Sequence, residues 1–223
     1  MQEDRPDAEP REPVDVLQSV DAGKPLAILG GLTAMLWLLW PGALAGLLVP
    51  STGDLLLGGL AGLPLLLVAY VSLDLNTLVM RTLSPWVAAM PLWRAATIAV
   101  AAAILEELLF RGLLPAWGVR LGFSPMTALV VANVLFAAGY AATRQYGIVA
   151  FFIGCYFSAL SLSGSTPNLS RAIVAHLVFN LVVFLVADRH ARRVTEENPI
   201  VATSVPAPDS AELPSTAEPS PTS

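Results

Sequence analysis

Charge is what this chain has least of: Asp, Glu, Lys and Arg together make up 13% of its 223 residues. A soluble domain carries roughly 25%. A deficit of this size excludes an ordinary solvated globule and points to a bilayer. There is no basic stripe and no basic–aromatic interleaving, which excludes nucleic acid as a partner. The single cysteine, Cys155, lies in an apolar run, so it forms no internal disulfide and builds no thiolate metal site. Histidine occurs twice, as His176 and His190. No internal repeat is visible. That argues against a proton-coupled transporter built from repeats, another class that places glutamates in a membrane.

What is present is apolar residues, 55% of the chain, gathered in long runs. Residues 1–24 are polar, acidic and proline-bearing, and are expected to form a disordered cytoplasmic arm. Apolar runs follow at about Pro25 to Val49, Leu55 to Leu73, Trp86 to Leu114, Pro125 to Ala142, Tyr146 to Leu162 and Leu169 to Ala187. Each is read as a span of the roughly 30 Å hydrocarbon layer. The first is too long for a signal-peptide core of roughly 7–15 residues, and an acidic segment precedes it. The expected fold is all-α, a polytopic transmembrane helix bundle of about six spans. Residues 25–85 would hold two N-terminal spans and a connection, and 86–188 a four-span core. Residues 189–223, basic and then rich in Pro, Ser, Thr and Glu, would form a disordered tail.

Six spans put both termini on one side. That side would carry Arg5, Arg11, Lys24, Arg81, Arg144, Arg189, Arg192 and Arg193, against Arg111, Arg120 and Arg171 on the other. The bias places both termini in the cytoplasm of a plasma (inner) membrane protein. Trp37 and Trp40 fall near the middle of the first run, while Trp86, Trp93 and Trp117 are better placed to mark an interface.

Ionisable groups inside a span cost about 2.5–3.5 kcal/mol each on insertion scales and persist where they face a bundle interior or a wet cavity. Glu106 and Glu107 end a long Ala-rich stretch. Neighbours on a helix point about 100° apart, so the two cannot both face one point squarely. Glu107 and Arg111 are four apart and share a face, where they can pair. Glu106 is then the carboxylate left for other work, such as general-base catalysis. His176 and Asn180, also four apart, project from one stripe of an apolar helix. Such a pair suits an oxyanion hole, and equally suits hydrogen-bonded packing between helices.

Glu106-Glu107-x-x-x-Arg111 followed by Gly112-Leu113-Leu114, with His176-x-x-x-Asn180 about 70 residues on, resembles the first and last motifs of the CPBP family. These are the CAAX-processing and bacteriocin-immunity (Abi) intramembrane proteases. The resemblance covers about residues 86 to 187. It implies that Glu106 activates a water, that Glu107 and Arg111 organise the site, and that His176 and Asn180 bind the oxyanion. The family's second motif is a phenylalanine followed four positions later by histidine. Here Phe136 matches, and Tyr140 stands where the histidine belongs.

The expected function is therefore an intramembrane endopeptidase acting on a membrane-associated protein or peptide. The alternative is a weakened or inactive relative that binds such a partner without cutting it, which the Tyr140 replacement favours. No cofactor is expected. Members of the family are often called metalloproteases, but a catalytic zinc usually takes three protein ligands, commonly two or three of them His. His190 falls in the tail, so Glu106, Glu107 and His176 make a poor set.

Overall fold

Pro41 breaks the first apolar run. A residue preceding proline is pushed out of helical φ/ψ, and Trp40 sits at φ −152°, ψ 80°. Helix α1, Gly23–Leu39, therefore stops there, and a 3-10 turn at Pro41–Leu44 follows. The expected single span from Pro25 to Val49 is corrected to a helix of 17 residues with a turn-rich exit. Trp40 accordingly stands at a helix end rather than mid-run. It meets Trp117 edge-on at 6.3 Å, and the Arg120 guanidinium lies over both rings.

The computed structural model describes residues 23–71, 84, 87, 90–141, 143–164 and 166–197, all helix, turn or connection with no strand among them. Of the expected arm at 1–24, residues 23 and 24 open α1 and the rest lies outside the described residues, as do most of 72–89 and the segment 198–223. The remaining helices are α2 (Thr52–Val71), α3 (Leu92–Glu107), α4 (Leu114–Arg120), α5 (Pro125–Gly139), α6 (Arg144–Leu162) and α7 (Leu169–Glu197). A six-residue π turn, Leu108–Leu113, joins α3 to α4 without a break.

Local chemistry sets the starts. Ser124 and Thr143 accept the N–H groups of Thr127 and Tyr146 at the heads of α5 and α6, and Asn168 accepts that of Ser170 at the head of α7. Helix α7 continues about ten residues beyond Ala187, where a disordered tail was expected from 189; that expectation is corrected for 189–197. The physical reason is plain in the sequence: no Gly or Pro interrupts the stretch until Pro199, and Asp188 pairs with Arg192 one turn on, at 2.9 Å.

Helix α2 packs most extensively on α7. A Cβ on Gly58 would stand 2.7 Å from the Arg171 carbonyl oxygen, and one on Gly62 2.9 Å from Val178. This spacing of two glycines lets two backbones approach as in membrane helix pairs. On α3, Ala95, Ala99 and Ala103 are wholly buried and do the same toward α7. The distribution of polarity is inverted relative to a soluble protein. Leu60 and Leu67 are 66% and 63% exposed, whereas Glu107 is 0% and Asn133 2% exposed. By length and composition, the helices Arg144–Leu162 and Leu169–Arg193 suffice to cross a membrane; the apolar stretches Leu26–Leu39, Thr52–Leu67 and Pro125–Gly139 are shorter.

At one end of the bundle, just ahead of the apolar run that begins at Leu55, Ser51 and Asp54 cap α2 reciprocally. Each donates its backbone N–H to the other's side-chain oxygen, both at 3.1 Å. Asp54 also accepts from Arg171 Nε at 2.6 Å and from Asn168 Nδ2 at 3.0 Å. The head of α7 is thereby fastened to the head of α2. These contacts, the Ser51 hydroxyl first and Arg171 next, hold the Asp54 carboxyl at about 2, below its ordinary 3.8. A carboxyl lowered in the folded state stabilises in full above its ordinary value and loses that contribution as pH falls toward the folded one. In thermal melts, Tm of the wild type should thus fall from about pH 4 to about pH 2. Asp54→Asn should show a flatter profile over the same window.

Candidate active site

Two glutamates end α3 and the π turn carries the arginine. Glu107 is fully enclosed, and its Oε1 accepts from Arg111 Nη1 at 3.1 Å, with neither side chain exposed. The same oxygen lies 2.8 Å from His176 Nδ1 on α7. A carboxylate paired with a guanidinium is an acceptor, so the proton between them belongs to the ring nitrogen. This leaves His176 Nε2 turned toward Glu106, 3.7 Å from its Oε2. Adjacent residues on one helix thus take different sides of one imidazole, as their 100° offset allows.

Glu106 is held from its far side. The Tyr140 hydroxyl, just past the end of α5, donates toward both of its carboxylate oxygens, at 2.8 and 2.9 Å. Aromatic rings fix the rest. Phe136 lies 4.2 Å beneath the Arg111 guanidinium and 5.0 Å from the Tyr140 ring. Tyr146 meets Tyr140 edge-on at 6.0 Å. Phe157 stacks on His176 at 4.7 Å and 19°.

Glu106, Glu107, Arg111, Tyr140 and His176 are therefore in one contiguous cluster. Asn180 is not drawn into it: its Nδ2 reaches the Ala99 carbonyl oxygen, two turns before Glu106 on α3, at 3.5 Å. Sequence reasoning missed Phe157, whose role as the floor under His176 has no sequence signal. It also passed over Asn133 and Ser158, buried on α5 and α6, which bond each other at 3.0 Å. Their signal was available: polar side chains inside otherwise apolar helices.

A helical bundle that is apolar outside and carries a glutamate–histidine cluster inside has the arrangement of a membrane-embedded protein. Residues 88–182 match the family model described as Rce1-like, type II CAAX prenyl endopeptidase Rce1-like. That segment, which holds Glu106, Glu107, Arg111, Tyr140, His176 and Asn180, is thus similar to the type II CAAX prenyl endopeptidases of Rce1-like kind. No curated protein and no solved structure matches the chain significantly.

Proposed function

We propose that the chain is an intramembrane endopeptidase in which Glu106 activates a water. Water oxygen attacks the peptide carbonyl carbon while Glu106 takes its proton. The carbonyl oxygen becomes an oxyanion that accepts from His176 and Asn180. The C–N bond then breaks, the proton held by Glu106 passes to the departing amine, and the carboxylate is restored. The observation that carries this reading is the place of Glu106, between the Tyr140 hydroxyl and the His176 ring. With Nδ1–H given to Glu107, the ring nitrogen left facing Glu106 is Nε2, which donates to the oxyanion when the ring carries its second proton. The contact from Asn180 to Ala99 is at the long limit for a hydrogen bond, so it yields readily to a substrate oxygen.

A metal-free reaction fits this donor set. Glu107 already carries Arg111 on the oxygen that meets His176. The chain would sit in the plasma (inner) membrane as about six spans with both termini cytoplasmic, residues 86–188 forming the catalytic core. Its substrate would be a membrane-associated protein or peptide, cut near the membrane surface.

One observation favours a second reading, a relative that binds such a peptide without cutting it: both Glu106 oxygens are occupied by Tyr140. Incubating the purified protein and its Glu106→Ala variant with a membrane-peptide library, read by mass spectrometry, separates the two. Cleavage by the wild type alone is expected. Cleavage that survives in Glu106→Ala ends the protease reading, and cleavage by neither leaves the binding one. On any peptide so found, Tyr140→His should cleave as fast as the wild type or faster. A clear loss would assign the phenol its own share of the chemistry.

A further inference from the structure

Arg111 and Arg171 each find a carboxylate, in Glu107 and Asp54. Arg120, exposed at the end of α4, finds none among the described residues, and no hydrogen bond there takes its N–H groups. Its guanidinium rests instead in the angle between two indoles. It lies 5.3 Å from the Trp40 ring and 5.4 Å from that of Trp117, and the rings stand at 86° to each other. Contact with the rings engages the face of a guanidinium and leaves the fork of N–H donors along its edge.

The frame around this cation is fixed on both sides. Trp117 Nε1 donates to the Leu36 carbonyl at 3.4 Å, tying α4 to α1. A Cβ on Gly118 would stand 2.7 Å from that of Ala128, so α4 lies close against α5. Beyond Arg120 the chain turns at once, with Gly122 at φ +95°. The Leu121 and Phe123 N–H groups donate back to the Trp117 and Gly118 carbonyls, at 2.9 and 3.0 Å. The side chains this turn displays are apolar: Leu121 is 71% exposed, Met126 69% and Phe123 48%. Facing water, they would surround a charge with bare hydrocarbon. At the level where acyl chains meet headgroups they are covered, and tryptophan favours that level.

We propose that Arg120, framed by Trp40 and Trp117, binds the phosphate of an anionic phospholipid whose acyl chains cover Leu121, Phe123 and Met126. Charge complementarity commits the site to an anionic lipid. One unpaired guanidinium offers parallel N–H donors to two phosphate oxygens, whereas a zwitterionic headgroup would bring a cation of its own. A free phosphate would leave the apolar side chains uncovered. Helix α3 continues into α4 through the π turn without a break, so a lipid held at Arg120 sets the depth at which the glutamates stand. The site rests on the membrane placement proposed above and not on hydrolysis.

Native mass spectrometry of the full chain in detergent, supplied with equal phosphatidylglycerol and phosphatidylcholine, tests the site. The wild type should retain phosphatidylglycerol in preference. In Arg120→Gln that occupancy should fall about fivefold, the factor equivalent to the roughly 1 kcal/mol that a basic residue gains at an anionic lipid surface. Arg94→Gln removes an equal charge at the exposed head of α3 and should lose less. Millimolar inorganic phosphate should not displace the lipid. A wild type without preference, equal losses in the two variants, or displacement by phosphate overturns the proposal. Should Arg120→Gln fail to fold, the wild type's preference and its resistance to phosphate decide. Whether the chain leaves a membrane fraction without detergent tests the membrane placement by itself, so a failed placement and a failed lipid site are separate results.

Discussion

Glu106→Ala is expected to slow cleavage by about 10²–10⁴-fold, the share a positioned general base supplies. The loss should appear in kcat rather than KM, because the carboxylate acts on the water and not on the bound chain. His176→Ala should cost a comparable factor. The double variant should be little worse than either single one. Residues 3.7 Å apart that serve one step lose their effect together. Steady-state rates on a single peptide, taken for the four proteins, check this. Multiplicative losses would mean that the two side chains act in separate events and that the cluster is not one centre.

Arg111→Met should lower stability by about 3–5 kcal/mol, the usual cost of removing one partner of a buried ion pair. Glu107 would be left with its carboxylate enclosed among helices, and its remaining partner, His176, would be pulled from its orientation. At about 2–4 °C per kcal/mol for a chain of this size, thermal melts should resolve the change easily. Glu107→Gln added to Arg111→Met removes the stranded charge and should restore part of the loss. An exposed pair contributes about 0–1 kcal/mol. A loss that small for Arg111→Met would show that water reaches the pair freely.

How much of this was legible beforehand depended on distance along the chain. The helical class followed from composition, and the pairing of Glu107 with Arg111 from their spacing of four on one helix. Both are local properties. The contact of His176 with Glu107 joins positions 69 apart, and that of Asp54 with Arg171 joins positions 117 apart. No periodicity encodes such pairs. The division of labour between Glu106 and Glu107 was readable from the 100° offset, but not that His176 would sit between the two. Asn180 shows the limit of the same rule. Sharing a stripe with His176 fixed its face, yet a backbone carbonyl on α3 captured its amide. The break at Trp40 and the reach of α7 to Glu197 were both visible in the placing of proline, at Pro41 and Pro199, and were outweighed by run length.

The wide turn at Leu108–Leu113 lies between the two halves of one long helix. Such a turn amounts to one residue inserted into α-helical winding. Deleting a single residue there would restore ordinary winding and swing everything beyond it by about 100°. Glu106 would keep its heading toward His176, while Trp117 and Arg120 would lose theirs toward Trp40. One helix therefore carries two separately aimed segments, one presenting the glutamates to His176 and the other presenting the aromatic anchor to Trp40.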